Sequence, residues 1–515
     1  MRILRTAFRW LALVGALACA SSAGTLLLQN AVVYDGTGRP GFRADLRIDG
    51  ERIVAVAPHL KPRPGESVRD VHGLALAPGF LDMHSHADAR ILEIPTADNV
   101  IRQGITTVLV GQDGASPYPL ADFLGRLEKA PPALNVASMA GHGTLRQQVM
   151  GEGKDKDLLR PSTAAELEKM RRLLDQEMQT GAFGLSSGLE YDAGHFATTD
   201  ELVELAKVAH RYGGFYISHV RDEGNGVFDS FREAIEIGRR SGVPVEISHI
   251  KLATTPNWHL ARSQMPAIFR LARAQGVDLK ADVYPYTFWQ SELRVIVLDR
   301  DYFNPEKVAK AIAENGGAEN LRLTRYQPDP ALSNKTLKEF ADHWQVTPAQ
   351  AFMRIVRETM PGADGKSRED DILGTSMVED DLRWFLAHPR IMFCTDGEIR
   401  GKHPRSAGAF PRILGPYVRG QKVLPLAAAI HKMTALPAAQ LGLTGRGRIA
   451  PGYWADLVLF DPAQVRDTST VEDPDAPPDG IVGVMVAGQW VVDQGKITGA
   501  RPGKVLRHRS ARRAR

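Results

Sequence analysis

Cysteine is almost missing from this sequence. Cys19 and Cys394 are the two among 515 residues, and Cys19 lies in a segment read below as removable. The remaining chain then has no partner for an internal disulfide. A chain of this length needs no such staple, because it buries a large core. Charge of one sign is scarce as well. The formal net charge is +4, and part of it sits in the Arg- and Lys-rich stretch 501–515. No basic stripe with interleaved aromatics occurs elsewhere, which argues against nucleic acid as a partner. The basic stretch itself, 506–515 above all, reads as a solvated, disordered end. Long apolar runs are also missing beyond the N terminus, so no membrane span is expected in the mature chain.

What is there begins with an export pattern over 1–23. Arg2, Arg5 and Arg9 precede the apolar run 10–20, and small residues at Ala18-Cys19-Ala20 and Ser21-Ser22-Ala23 fit cleavage sites. An exported, periplasmic protein is expected. Cys19 leaves a lipoprotein reading open.

Between 24 and 75, and again between 444 and 505, short alternating apolar segments are separated by turn residues such as Asp49-Gly50. That texture predicts antiparallel strands, and its place at both ends predicts one composite β-sandwich domain. The span 76–443 instead repeats strand, polar loop and helix. Strands are expected at 80–84, 106–110, 135–139, 182–186, 215–218, 243–248, 279–284 and 391–395. Helical periodicity falls between them, as at 166–179, 200–211, 228–241 and 260–274. Eight such units are the pattern of a closed (β/α)8 TIM-type barrel. About a hundred residues separate the last two strands, too many for a loop and helix. An inserted helical subdomain over about 290–388 is therefore expected. An open doubly wound sheet is the alternative, but it would want a Gly-rich phosphate loop that this sequence lacks.

Histidines gather at the strand ends. His84-Ser85-His86 follows the first strand, where positions two apart face one side. Ser218-His219 and Ser248-His249 close two successive strands in the same phase. Neutral imidazoles so placed suit zinc and iron alike. Asp396, in Thr395-Asp396-Gly397, ends the eighth strand, where a carboxylate can ligate metal or carry a proton; an Asp-Gly turn is the plainer alternative. Cys394 reads as a packed thiol.

Several long blocks, in order, carry a resemblance: PGFLDMHSHAD (78–88), QGITTVLVGQDG (103–114), YISHVRDEG (216–224), VEISHIK (245–251), DVYPY (282–286), CTDG (394–397) and HPRSAGAFPRIL (403–414). On these the sequence resembles the D-aminoacylase, or N-acyl-D-amino-acid deacylase, family of the metal-dependent amidohydrolases. The resemblance implies an enzyme that hydrolyses the amide bond of a small acylated amino acid. It implies a tightly held zinc at His219 and His249, a weaker second site at His84 and His86, and Asp396 as catalytic acid/base. Where the family has Asn-Cys-Gly, this chain has Gln112-Asp113-Gly114, so Asp113 takes the place of a thiolate ligand. A carboxylate there predicts a bridge to a second metal, or tolerance of manganese or cobalt. Glu190 is weighed as another bridge. Lys251, Tyr284, Tyr286, Ser291, Arg405 and His142 are expected to contact substrate, and Phe288 and Trp289 to reshape the pocket. His195 reads as peripheral. Hydrolysis of a different C–N bond, in a dipeptide or cyclic amide, remains open, as does a non-catalytic binding barrel.

Overall fold

A computed structural model describes residues 24–151, 158–360 and 368–509. The expected export segment, 1–23, and the last basic residues, 510–515, lie outside the described residues. Among the described residues no helix is long and apolar enough to cross a membrane.

The two ends of the chain do share one sheet. N-terminal strands Leu26–Val33, Phe42–Asp49, Arg52–Ala57, Ser67–Asp70 and Ala75–Pro78 join C-terminal strands Leu457–Phe460, Ile481–Val486, Gln489–Asp493 and Lys496–Ile497 in a nine-stranded ladder. Ala75–Pro78 pairs antiparallel with Leu457–Phe460 at the junction. The sheet curls until its edge meets its own middle, through Ile53 N–H to Tyr453 O at 2.9 Å and Ala455 N–H to Glu51 O at 2.9 Å. The layers of the expected sandwich are thus parts of one ladder. Leu28, Leu46, Ile53, Leu457 and Met485 fill it, the inward residues of alternating strands.

The middle of the chain is a (β/α)8 barrel. Its strands are Phe80–Asp82, Ile105–Val110, Asn135–Ser138 continued by Ala140–Gly141, Gly184–Gly188, Phe215–His219, Val245–Ile247, Leu279–Val283 and Ile391–Phe393. They pair in parallel in that order. The ring closes at its mouth, where Asp396 N–H donates to His84 O at 2.8 Å and His86 N–H to Gly397 O at 2.9 Å. Leu81, Leu109, Ala137, Phe183, Ile217 and Met392 pack within one buried cluster, while the alternate residues face the helices. Those helices carry their own punctuation. Ala164–Thr180 starts in a Thr163–Glu166 capping box, buries Met170, Leu174 and Met178, and stops at left-handed Gly181.

Two expectations need correction. The insertion is a mixed subdomain, not a helical one. Strands Phe288–Glu292, Leu321–Leu323, Lys335–Thr336 and Asp371–Thr375 form an antiparallel sheet covered by helices Pro305–Glu314, Leu337–Trp344 and Pro348–Thr359. Leu321–Leu323 and Lys335–Thr336 are too short to display a two-residue period, and Phe288–Glu292 and Asp371–Thr375 do not alternate buried with exposed residues. Helix Glu379–Ala387 belongs to the barrel, packing on Ala261–Ala274 and strand Ile391–Phe393.

The C-terminal stretch is likewise not solvated throughout. Residues 503–508 lie along the base of the third strand. Gly503 N–H reaches Pro132 O at 2.9 Å, Leu506 N–H reaches Val136 O at 2.8 Å, and His508 N–H reaches Gly181 O at 2.9 Å. Backbone pairing there is indifferent to the charge of the outward side chains.

Candidate metal centre

The chemistry-bearing residues sit where barrel strands give way to loops. His84 and His86 follow strand one, Asp113 strand two, His249 strand six and Asp396 strand eight, while His219 ends strand five. Asp113, His249 and Asp396 turn the chain sharply, with φ of 53°, 31° and 48°. The left-handed region costs a residue with a side chain roughly 1–2 kcal/mol. Such strain persists where the surroundings over-determine it, characteristically at functional sites.

The six side chains converge, with Asp113 between two histidine pairs. Its Oδ2 lies 3.3 Å from Nε2 of both His84 and His86. Its Oδ1 lies 3.4 Å from His249 Nε2 and 4.0 Å from His219 Nδ1. Asp396 Oδ1 stands 3.4 Å from His84 Nε2 and 3.1 Å from His86 Nε2. His219 Nδ1 and His249 Nε2 are 3.1 Å apart.

Burial opposes charge on Asp113, but His84 and His249 outweigh it and hold the carboxyl well below its usual range. Burial opposes charge on Asp396 too; Arg405, then His249 and His84, overcome it in the same direction. Both are therefore carboxylates, the state that a metal ligand or proton acceptor requires. Both ring nitrogens of His84 and Oδ1 of Asp113 are buried without a hydrogen-bond partner among the described residues. Buried polar atoms are rarely left so, and a divalent cation held between the carboxylates would satisfy His84 Nε2 and Asp113 Oδ1, the two that face the other ligand atoms. Imidazole nitrogens and carboxylate oxygens are a donor set that fits zinc. Two overlapping groups have ligand atoms within 4.8 Å of one another: His84, Asp113, His249 and Asp396, and His219, Glu223 and His249.

Glu223 went unnoticed in the sequence, where it looks like part of a solvated acidic turn four residues past His219. It accepts from Lys251 Nζ at 2.6 Å and lies 3.0 Å from His249 Nδ1. Glu190, weighed as a bridge, reaches His219 Nε2 at 3.1 Å and accepts the Glu223 N–H at 2.7 Å. It stands behind His219, on the Nε2 side, where a carboxylate would orient the ring of a metal-binding histidine.

A cavity of 530 Å³ opens above this centre, lined by His86, Asp113, His219, His249 and Asp396 and, further out, by Lys251, Tyr284, Ser291 and Arg405. The Tyr284 hydroxyl is buried without a hydrogen-bond partner among the described residues. Arg405 is already engaged, donating from Nη1 to Asp396 Oδ2 at 2.6 Å. Trp289 also lines the cavity. Gly374 stands across the sheet from it, where a Cβ would come within 2.5 Å of the indole. Phe288 does not line the cavity; it stacks on His403.

Two of the expected substrate contacts fall elsewhere. Tyr286 turns its hydroxyl to Pro404 O at 3.4 Å, under the Arg412 guanidinium. His142 is fully buried behind the cavity, with Nε2 2.8 Å from Glu201, which also pairs with Arg146. A buried carboxylate needs more than one partner, and His142 supplies it. His195 does not line the cavity, and its carbonyl accepts from Arg221 at 2.7 Å. Cys394 is a buried free thiol.

Residues 67–492 match the sequence model described as Amidohydrolase family. D-aminoacylase of Alcaligenes xylosoxydans xylosoxydans is 36% identical over 514 residues, covering 94% of this chain and 98% of the relative. N-acyl-D-glutamate deacylase of the same organism is 35% identical over 506 residues, covering 94% and 96%. A solved N-acyl-D-glutamate deacylase from Bordetella bronchiseptica, complexed with zinc and a phosphonate mimic of the tetrahedral intermediate, superimposes with a TM-score of 0.82 at 34% identity. That likeness covers 94% of this chain and 99% of the solved one. With its barrel, its histidine-lined mouth and this match along most of its length, the chain belongs to the amidohydrolase family.

Proposed function

We propose that this protein is a zinc-dependent hydrolase that cleaves the amide bond of N-acyl-D-amino acids. The observation that carries the reading is Asp113 standing between His84 and His86 on one side and His219 and His249 on the other, at the floor of a cavity. His219, His249 and Asp113 would hold one zinc, and His84, His86 and Asp113 a second. When bound, zinc supplies Lewis acidity, which lets water lose a proton near neutral pH and polarises a carbonyl. Asp396 accepts the proton of the attacking water at Oδ1. As the C–N bond breaks, the same oxygen delivers that proton to the leaving nitrogen, which departs as the free amine. Arg405 keeps Oδ2 anchored through both transfers. Lys251 and Tyr284 present a cation and a hydroxyl toward a substrate carboxylate. Relatives named for D-aminoacylase and N-acyl-D-glutamate deacylase activity support this substrate class.

A panel of N-acyl-D-amino acids, N-acyl-L-amino acids, dipeptides and cyclic amides, assayed with and without a chelator, tests the reading. Chelator-sensitive release of free D-amino acid is expected. Cleavage of dipeptides or cyclic amides alone would reassign the bond, and no turnover of any amide with zinc loaded would leave a binding barrel. Export remains a further proposal, resting on the pattern at 1–23. Mass spectrometry of the protein recovered from a periplasmic fraction tests it, with an N terminus after Ala20 or Ala23 as the expected result.

A further inference from the structure

Three sharply turned residues carry this centre; buried aspartates that reach neither the cavity nor the convergent ligand atoms hold one of them, His249, and the residue just before another, Asp396. Asp82 lies at the seam where strand eight meets strand one. Strand Ile391–Phe393 has its ladder partner on the other side, in strand Leu279–Val283. Asp82 Oδ1 accepts the Thr395 N–H at 2.9 Å and the His84 N–H at 3.3 Å, and Oδ2 accepts from the Thr395 hydroxyl at 2.5 Å. One carboxylate therefore grips the peptide of His84 and the residue just before Asp396.

Asp282 makes a single tie of this kind between strands six and seven. Its Oδ1 accepts the His249 N–H at 2.8 Å. His249 has the smallest positive φ of the three, 31°, and its turned peptide would otherwise have no strand partner for that N–H. Asp82 is 1% exposed and Asp282 0%. A carboxylate offers only acceptor sites. Asp82 therefore meets two backbone donors and a hydroxyl at once, and Asp282 one backbone donor, its Oδ2 having no hydrogen-bond partner among the described residues.

We infer that Asp82 and Asp282 are positioning residues for the metal centre. They fix the strand ends bearing Asp396 and His249 at their working separation from His84 and His86, without touching substrate. Support behind metal ligands commonly counts for about 10–100-fold in metal affinity or activity, because ligand atoms displaced by a fraction of an ångström no longer share one ion.

The inference rests on the metal placement proposed above, so its test reads metal binding and backbone protection rather than a particular substrate. Full-length Asp82→Ala, Asp82→Asn, Asp282→Ala and Asp282→Asn would be compared with wild type. The readouts are zinc affinity by competition with a chromophoric chelator, the visible spectrum of the cobalt-substituted protein, local amide exchange, and kcat against KM. The alanine variants should bind zinc about 10–100-fold more weakly and show a shifted cobalt band. Faster exchange should be confined to the segments around Thr395 or His249, and kcat should fall with KM little changed. Asparagine keeps an acceptor oxygen for the backbone N–H, and at position 82 its amide can also donate to the Thr395 hydroxyl, so the Asn variants should recover most of the loss. Folded alanine variants with wild-type zinc affinity and cobalt spectrum would overturn the inference, as would Asn variants that fold yet lose as much as Ala. If an alanine variant does not fold, Thr395→Val deletes one of the Asp82 hydrogen bonds with little change in volume. It should weaken zinc binding and shift the cobalt band, and unchanged values there also overturn the inference. Inactivity of wild type on acylated D-amino acids would instead sink the proposed function and leave these measurements standing.

Discussion

Arg405 grips one oxygen of Asp396 and leaves the other to the histidines. Its Nη1 donates to Oδ2 at 2.6 Å, while Oδ1 faces His86 Nε2 at 3.1 Å. The guanidinium keeps Asp396 ionised despite burial and leaves Oδ1 turned toward the imidazoles of His84 and His86.

Asp396→Asn should therefore keep the fold and most bound zinc while kcat falls by about 10²–10⁴-fold. Arg405→Met should act through the carboxyl. Removing a cation raises the pKa of Asp396, and the ionised form is the active one, so the acid limb of kcat/KM should move to higher pH. Rate profiles of the two variants check both statements, and an unchanged kcat for Asp396→Asn removes it from the mechanism.

Asp113 faces both histidine pairs with different oxygens, the geometry of a carboxylate that spans two ions. Asp113→Ala should lose the second metal and weaken the first, and Asp113→Cys should restore a single tight zinc, since thiolate is the softer ligand. Elemental analysis and metal titration distinguish these outcomes. Wild-type metal content and affinity in Asp113→Ala would leave the residue as a turn former only.

Glu201 anchors a buried cluster, accepting from Arg146 at 2.7 Å and from Ser162 at 2.6 Å, with His142 Nε2 at 2.8 Å. Burial pushes its carboxyl up, but His142 and Arg146 more than offset that and bring it down to about 2, from 4.5. A folded value below the unfolded one means that this stabilisation is fully present above about pH 4.5 and is lost as pH falls toward 2. Glu201→Gln leaves Arg146 buried and unpaired and should cost about 3–5 kcal/mol at pH 7. Denaturant melts at pH 7 and pH 3 check it: the gap between variant and wild type should narrow at the lower pH.

Truncation after Pro502 removes the strap along strand three, including the bonds between Val136 N–H and Lys504 O at 3.0 Å and between Leu506 N–H and Val136 O at 2.8 Å. Buried groups left unmade cost about 1–3 kcal/mol each, so the melting temperature should fall clearly. Equal stability of the truncated and full chains would return the segment to a solvated end.

Much of this was readable from the chain in advance. Strand and helix periods are local, so the eight-fold alternation and the phase of His219 and His249 at successive strand ends could be read directly. Contacts across strands could not. Nothing near Glu223 or Glu190 in the sequence says that they stand behind His249 and His219, and nothing near His142 says that Glu201 claims it, 59 residues on.

The sequence by itself determined the barrel's alternation, the composite terminal sheet and the placing of His84, His86, His219, His249 and Asp396 at strand ends, because each follows from periodicity; it did not determine the sheet of the insertion. Only the tertiary structure decided how those donors are apportioned. Arg405 became the partner of Asp396, Glu223 and Glu190 the carboxylates behind His249 and His219, and Asp82 and Asp282 the ties beneath the strand ends. The physical reason is that burial favours pairing of polar atoms, and the partners come from whichever strands barrel closure brings side by side, however far apart they lie in the chain.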